Sequence, residues 1–545
     1  MTFEELQNLV SSDKTPGICV DSRLVKAGDI FVAVEGAVYD GHDFIDQALA
    51  NGAKYIVCRQ KNTRYSTGRL MAEIRDTPRD ALRRRYELIV VGDSAKAAAL
   101  LAQAGTGNPA SQLINLAVTG TNGKTTVAFL ARSCIQQAGQ KCGLIGTVIY
   151  DTCSGRSDEA TLTTPDCLAI AEMTEKMVQN DAKYMVIEAS SHALSQNRLA
   201  GINFKAAAFT NLAGDHLDYH KTKEDYLAAK TSLFQALAPD ATAVLNKQSP
   251  QARLIASKTN AKILWYAIDE PADITAHIES MDTSGTVFTL ECAARSSIAN
   301  RRPSIVKTPL LGLYNVSNSL AAAGLCLAAG FDLQTIAAGL SACRTIPGRL
   351  EKIDPRLCGD KLAPAKAGGN FSVLIDYAHT DDALKNVLST LKPLCSGKLI
   401  VVFGCGGDRD RTKRPRMARV AEELADFVIV TSDNPRTERP EDIISEIVAG
   451  FEKGSPVRST EIRDTQHAIR NTIIIEPDRK KAIALVIKTA GKDDIVLIAG
   501  KGHETYQVIG KQKFDFSDKA VAEEYLKKRR KDRELDAYHV DRDST

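Results

Sequence analysis

Three absences narrow the possibilities before any motif is considered. No segment approaches the roughly 18 uninterrupted apolar residues that a membrane-crossing helix needs. The sequence opens Met1-Thr2-Phe3-Glu4-Glu5-Leu6, acidic where a secretion signal carries positive charge. A cytoplasmic protein without membrane insertion is expected. There is also no charge excess: Lys+Arg 70 against Asp+Glu 67 leaves a formal charge of +3, too balanced for a field that binds nucleic acid or an anionic membrane. Finally, no Cys-x-x-Cys pair occurs among the 12 scattered cysteines, so buried reduced thiols are expected rather than a zinc site or a disulfide framework.

What is present is an ordinary globular composition, 44% hydrophobic and 25% charged over 545 residues, enough for about three to four domains. Residues 1–108 mix short apolar runs (Asp29 to Val34, Tyr55 to Cys58) with glycine turns and end in the polar linker Gly105-Thr106-Gly107-Asn108-Pro109, a small α/β domain. Residues 109–346 alternate strand patterns (Leu113 to Val118, Tyr184 to Ile187, Ala206 to Thr210, Thr242 to Asn246) with helical ones, which predicts a P-loop-type ATPase domain with a mainly parallel sheet. Residues 347–545 repeat the alternation from Val373 to Ile498 and read as a Rossmann-like domain. The fold class is therefore α/β in three domains. The charged tail from Ser517 to Thr545, including Lys527-Lys528-Arg529-Arg530-Lys531, reads as a solvated or frayed helix end.

Gly120-Thr121-Asn122-Gly123-Lys124-Thr125-Thr126 lies between an apolar strand and a helix. There, glycines let backbone N–H groups wrap phosphate oxygens, a lysine neutralises the outer phosphates, and a threonine hydroxyl can reach Mg²⁺. The usual spacing would put glycine at position 118, where this chain has Val118. The shorter Thr-Gly-Thr-Asn-Gly-Lys-Thr-Thr form is complete. Ser190, Gln196 and Arg198 follow a strand ending at Glu188, at the sheet edge where ligands sit; Arg198 can pair with phosphate or carboxylate, oriented by the other two. Leu227, Lys230 and Phe234 fall at i, i+3 and i+7, so the amine sits on an apolar helix face and either snorkels to solvent or serves a purpose there. His216 alone reads as a structural histidine or a general base.

In the last domain Gly406-Gly407-Asp408-Arg409-Asp410, Asp433-Asn434-Pro435-Arg436 and Gly500-Lys501-Gly502-His503-Glu504 each follow a predicted strand and should converge on one sheet edge. Arg409 and Arg436 can clamp a carboxylate, or Arg409 can form a surface ion pair. Glu504 and the Gly500 carbonyl can hold an ammonium.

With these motifs in place the chain resembles the Mur ligases over nearly its whole length, and within them the diaminopimelate-adding branch. The stretch from Asp21-Ser22-Arg23 through Asp40-Gly41-His42 is similar to that branch's uridine-nucleotide domain, and Thr163-Thr164-Pro165 and Glu188-Ala189-Ser190-Ser191-His192 through Arg198 to its UDP-sugar and dipeptide segments. The resemblance implies a UDP-MurNAc-L-Ala-D-Glu site at Ser22, His42, Thr163, Thr164, Ser190, Gln196 and Arg198, and Mg²⁺ at Thr125, Glu188, His216 and a Lys230 carbamylated by CO₂. It implies ATP at residues 120–126 and at Asn315 and Asn318 (reading adenine), Asp376 (accepting from ribose hydroxyls), His379, and Arg349, which senses nucleotide or pairs with Glu351. It implies meso-diaminopimelate at Arg409, Asp433, Asn434, Arg436, Gly500 and Glu504. Lys124, Lys230 and His216 would be the catalytic groups. The implied reaction activates the D-Glu γ-carboxylate with ATP as an acyl phosphate that the incoming amine captures, in peptidoglycan synthesis, by a monomer. Rival readings are a lysine-adding homologue, a folylpolyglutamate synthase and a nucleotide-dependent regulatory module. Asp381 stands where the family usually has proline.

Overall fold

The computed structural model describes residues 1–12, 16–36, 39–59, 86–213, 217–220, 222–293, 302–353, 371–454, 456–461 and 473–543. Three main sheets follow one another along the chain.

The first sheet has four parallel strands, Ile18–Cys19, Ile30–Val32, Tyr55–Arg59 and Glu87–Val91, in sequence order. The two-residue strand period separates its cores. Ile30, Val32, Tyr55 and Val57 pack under the helices Phe3–Ser12 and Ser94–Gly105, while Phe31, Ala33, Ile56 and Cys58 pack under Ile45–Ala50. Asp93 caps Ser94–Gly105 by accepting from the Lys96 N–H at 2.9 Å. Its other oxygen accepts from Asn197 Nδ2 of the next domain at 2.8 Å.

The second sheet has eleven strands. Its middle runs parallel from Cys142–Ile145 through Tyr184–Glu188, Ile114–Thr119, Phe204–Phe209, Thr242–Asn246 and Lys262–Ile268 to Ile274–Asp282. Antiparallel strands extend it at both ends. The central parallel strands are mostly apolar because both faces are covered. Leu116 and Val118 meet helices Lys124–Gln137, Leu313–Ala328 and Leu333–Ala342; Ala117 faces Cys167–Gln179 and Lys223–Gln235 on the other side.

In the third sheet the order is Glu351–Lys352, Ser372–Asp376, Ile495–Ala499, Leu399–Phe403, Phe427–Val430, Ile473–Ile475, Val457–Arg458, parallel except for the first strand. The chain leaves Ser372–Asp376, skips a place to Leu399–Phe403, and returns at the end to fill the gap with Ile495–Ala499. Such a reversal of strand order opens a crevice at the carboxyl ends of the strands. The tail is a helix, Asp518–Asp543, with Lys527, Lys528 and Lys531 exposed as expected of a solvated helix end, but its first residue forms a buried ion pair with Arg479 at 2.7 Å. Within the basic run, Arg529 donates to the Ala490 carbonyl at 2.7 Å and its guanidinium lies over the Phe371 ring. Apolar anchors Val521, Ala522 and Leu526 explain why this end docks. No helix among the described residues is long and apolar enough to cross a membrane.

Candidate active site

The phosphate loop begins at the carboxyl end of Ile114–Thr119. Gly123 has φ +90°, and a Cβ there would lie 2.3 Å from Asn318 Oδ1, so no other residue fits without displacing Asn318. The loop's carbonyls turn inward: Lys124 Nζ donates to Gly120 O and Thr121 O at 3.0 and 2.9 Å. Thr126 is buried in the first turn of the helix that follows. Asn315 and Asn318, expected to read adenine, form a support under the loop. Asn318 Nδ2 donates to Asn315 Oδ1 at 3.1 Å, and Asn315 Nδ2 donates to Leu311 O at 2.8 Å.

Beside the loop, Glu188 ends the neighbouring strand and is buried. Its carboxylate accepts from the Thr125 hydroxyl at 3.0 Å and from the Thr147 hydroxyl and N–H at 2.9 and 2.8 Å. Thr147 Oγ1 lies 3.1 Å from Thr163 Oγ1. Thr164 Oγ1 donates to the Glu188 carbonyl at 2.6 Å and accepts from the Ser190 N–H at 3.0 Å. Arg198 donates to Thr164 O at 2.7 Å and to Gln196 Oε1 at 3.0 and 2.7 Å. Gln196 Nε2 in turn donates to Tyr219 OH at 3.1 Å. Thr163, Thr164, Ser190, Gln196 and Arg198 thus form one connected wall.

Ser22 and His42 sit in the N-terminal domain, engaged by its own residues. Ser22 Oγ donates to Gln47 Oε1 at 2.7 Å. His42 Nε2 accepts from the Arg59 N–H at 3.0 Å, which leaves Nδ1 to donate to Asp40 at 2.6 Å. That pairing fixes the tautomer.

Lys230 does not snorkel. It is 1% exposed; Nζ donates to Gly120 O at 2.8 Å and sits 4.3 Å from the Tyr226 ring centroid, so the lysine helix is fastened to the phosphate loop. His216 lies outside the described residues. Among the described residues no three His, Cys, Asp or Glu side chains cluster as a metal site. The donors at Thr125 and Glu188 are oxygens, and the carboxylate takes only neutral hydroxyl and amide partners. That donor set fits Mg²⁺, which keeps several waters and few protein ligands.

The last domain meets this loop directly. Arg349 Nη2 donates to Thr125 Oγ1 at 3.1 Å and the guanidinium stacks on the Tyr377 ring at 4.6 Å. It does not pair with Glu351, which is taken by Lys519 at 2.6 Å and by the Gly348 N–H at 2.8 Å. Asp376 accepts from the Leu350 and Ala378 N–H groups at 2.7 and 2.8 Å, which commits both oxygens to the backbone where the middle domain passes into the last. Burial raises its pKa, opposed by Arg349 and those amides. His379 lies one turn on, its Nδ1 2.8 Å from Tyr377 O. Asp381 opens the helix Asp381–Leu391, which Thr380 caps, and pairs with Arg416 at 3.1 Å. A first helical turn is also where proline is tolerated, so the departure from the family wording leaves the helix start intact.

The three strand-end loops of the last sheet converge as expected. Arg436 is held at φ +51°, a left-handed conformation rare for a non-glycine residue, by its N–H to Val508 O at 3.1 Å and its carbonyl to Gly510 N at 2.7 Å. Its Nη1 donates to Gly407 O at 2.6 Å. Gly500 has φ +114°, and a Cβ there would lie 2.6 Å from Asp433 Oδ2. Asn434 Nδ2 donates to Glu504 Oε2 at 2.8 Å. Arg409 is exposed at the rim. Sequence reasoning passed over Lys501, which is 0% exposed and donates to Asn434 Oδ1 and Glu504 Oε2, each at 3.0 Å. It also passed over His503, stacked on Tyr377 at 5.3 Å. Burial first, then the Arg349 and Lys501 charges, pushes the His503 imidazole down to about 4, so it is neutral at pH 7.

A phosphate loop, an oxygen-lined pocket beside it and a second domain's charged crevice facing both can be compared with known proteins. The family profiles that match are the Mur ligase middle domain over residues 118–326, the Mur ligase glutamate ligase domain over 364–502 and the Mur ligase family catalytic domain over 14–105. The UDP-N-acetylmuramoyl-L-alanyl-D-glutamate–2,6-diaminopimelate ligase of Geobacillus thermodenitrificans is 40% identical over 517 residues, 94% of each chain. The chain belongs to the Mur ligase family. The ligase of the same name from Gloeobacter violaceus is 39% identical over 515 residues, again 94% of each. A solved structure of such a diaminopimelate ligase superposes on this Mur ligase with a TM-score of 0.60 at 31% identity, covering 94% of this chain and 95% of that one. The MurF ligase of Thermotoga maritima in complex with ADP shares the fold at a TM-score of 0.56 and 19% identity, covering 95% and 99% of the two chains.

Proposed function

We propose that this Mur ligase joins meso-2,6-diaminopimelate to the D-Glu γ-carboxylate of UDP-MurNAc-L-Ala-D-Glu at the expense of ATP, in the cytoplasm and as a monomer, during peptidoglycan synthesis. Residues 1–108 would take the uridine nucleotide, with Ser22 and His42 shaping that pocket; 109–346 would take ATP and the dipeptide; 347–545 would take the amino acid. The observation that carries the choice of amino acid is the corner where one loop holds the buried Asp433, Asn434 bonded to Glu504, and Arg436, whose guanidinium donates to Gly407 O at 2.6 Å. A zwitterionic far end needs one cation and one anion, and this corner supplies both.

In the proposed reaction the wall formed by Thr163, Thr164, Ser190, Gln196 and Arg198 orients the dipeptide, and the D-Glu carboxylate oxygen attacks the terminal phosphorus of ATP. ADP leaves and an acyl phosphate forms. Lys124 and the loop N–H groups offset the charge gathered there, because fixed donors need no reorganisation as charge develops. Mg²⁺ held by Thr125, Glu188 and His216, with a carbamate on Lys230, would supply electrostatic stabilisation of the phosphoryl oxygens. A carbamate nitrogen keeps one hydrogen, so the contact to Gly120 O survives the modification. Asn315 and Asn318 would keep the loop in shape beside the adenine, Asp376 and His379 would set the ribose side of the hinge, and Arg349 would exchange Thr125 for the nucleotide. The acceptor amine, presented by Arg409, Asp433, Asn434, Arg436, Gly500 and Glu504, then attacks the acyl carbon and phosphate leaves, with water excluded by the closed domains.

ADP release with ATP, magnesium and the uridine-linked dipeptide, comparing meso-diaminopimelate with L-lysine, tests the reading. Turnover should require meso-diaminopimelate, and Arg436→Ala should raise its KM roughly 100-fold, as expected for truncating one member of a charge-assisted contact. Equal use of lysine would refute the specificity. Slow hydrolysis indifferent to both substrates would indicate a regulatory module.

A further inference from the structure

Lys501 is buried in the acceptor crevice between two groups assigned to the ligand and is itself given no role by the motif that contains it. Burying an ammonium requires a counter-charge and hydrogen-bond partners. Lys501 has Glu504 Oε2 and Asn434 Oδ1, each at 3.0 Å, with the Tyr506 ring beyond at 5.6 Å. These contacts determine what the neighbours can offer. Asn434 Oδ1 also accepts from the Val508 N–H at 2.9 Å, so two donors face it, while Nδ2 faces the Glu504 carboxylate at 2.8 Å. A flipped amide would set nitrogen against two donors and oxygen against an anion, so the network itself decides the orientation.

Asn434 therefore has one amide hydrogen left to donate, and its oxygen is filled. Glu504 Oε2 is filled by Lys501 and Asn434, and its Oε1 takes no hydrogen bond among the described residues. Glu504 keeps 14% of its side chain exposed. Side by side, the crevice presents one N–H donor and one carboxylate oxygen. These are the complement of a carboxylate and an ammonium on one carbon. Because Lys501 balances Glu504, the pair is neutral as a unit and matches a ligand end that is itself neutral overall.

We propose that Lys501 is a positioning residue for the amino-acid substrate: it locks the Asn434 amide with nitrogen outward and balances Glu504, so that the crevice prefers a zwitterionic terminus to a simple ammonium. This rests on the acceptor-site reading above. Removing the Lys501 charge leaves Glu504 uncompensated and takes away one of the two donors that hold the Asn434 oxygen, so the amide orientation is less firmly fixed. Both changes favour a bare cation.

Steady-state kinetics of the full-length enzyme test this. Lys501→Met is expected to raise the KM for meso-diaminopimelate roughly tenfold, the equivalent of losing one charge-assisted contact. The KM values for ATP and the uridine nucleotide should stay within about twofold. The preference for meso-diaminopimelate over L-lysine in kcat/KM should fall. A residue that merely supports the fold would move all three KM values together and leave the preference unchanged. Should Lys501→Met fail to fold, Lys501→Arg keeps the charge; its displaced donors are expected to raise the acceptor KM alone by about threefold. An unaltered acceptor KM and an unaltered preference in the folded variant would overturn the proposal while leaving the wild-type reaction intact. Wild-type protein that forms no product with meso-diaminopimelate would overturn both the proposal and the reading it rests on.

Discussion

The two proposed ligand edges of this Mur ligase, one for nucleotide and one for the amino acid, lie in the same topological place, the carboxyl ends of parallel strands, and are built by opposite means. The nucleotide edge is one continuous stretch, residues 120–126, whose shape comes from backbone: Gly123 at φ +90° with Asn318 behind it, and carbonyls of Gly120 and Thr121 under Lys124. The amino-acid edge is assembled from three loops, and its shape comes from side chains: Arg436 on Gly407, Asn434 on Glu504, Lys501 on both. A backbone cradle suits phosphate, which every member of a nucleotide-using family must bind. A side-chain crevice can be altered one residue at a time, which suits the partner that changes between family members.

The comparison would break most decisively at Lys124. If the nucleotide edge supplies the charge stabilisation, Lys124→Met should lower kcat by roughly 10²–10³-fold, read as ADP release at saturating concentrations of all three substrates. The variant should melt close to wild type, since Lys124 Nζ donates to the Gly120 and Thr121 carbonyls of its own loop. A kcat within tenfold of wild type would move the main electrostatic burden to the other edge.

The same contrast explains what the sequence reveals. The strands around the loop are legible because both of their faces are buried, so Leu116-Ala117-Val118 and Val186-Ile187 read as unbroken apolar runs. The outer strands are not: Ile274–Asp282 is apolar only where it meets the core, and its solvent face reads like a loop. Glu188, Arg198 and Arg436 could be singled out because each follows a strand end. Lys230 could be placed on an apolar face, but whether it reached solvent depended on Gly120, distant in sequence. Arg349 had two available partners in the sequence, and the nearer one, Glu351, is occupied by Lys519, far along the chain. Lys501 shows the limit most clearly. A lysine between two glycines with a glutamate three residues on is an ordinary surface pattern until Asn434 and Val508 close the network around it.

Glycine substitutions sharpen the contrast at a smaller scale. Gly123→Ala places a methyl 2.3 Å from Asn318 Oδ1 at φ +90°, and Gly500→Ala places one 2.6 Å from Asp433 Oδ2 at φ +114°. Each should cost about 1–3 kcal/mol of local strain. The two should nevertheless separate by ligand: Gly123→Ala raising the KM for ATP alone, Gly500→Ala that for the amino acid alone. Loss of both affinities in either variant would mean that the edges are not independent.

The smallest effect expected is an acid sensitivity at the side-chain edge. Beneath it, Glu438 accepts from the Asp408 N–H at 2.6 Å and from the fully buried Arg414 at 2.8 and 2.9 Å, and Glu446 shares Arg414 at 2.9 Å. The Arg414 hydrogen bonds, working against partial burial, hold the Glu438 carboxyl at about 2, down from its ordinary 4.5. A folded-state value below the unfolded one stabilises the protein fully above about 4.5, and the stabilisation is lost as pH falls through about 2. Thermal unfolding followed from pH 6 downwards should therefore show a decline that Glu438→Gln flattens in this window, while the same variant costs on the order of 1–2 °C at pH 7. An acid slope identical to wild type in Glu438→Gln would show that the crevice floor is held by packing rather than by this ion pair.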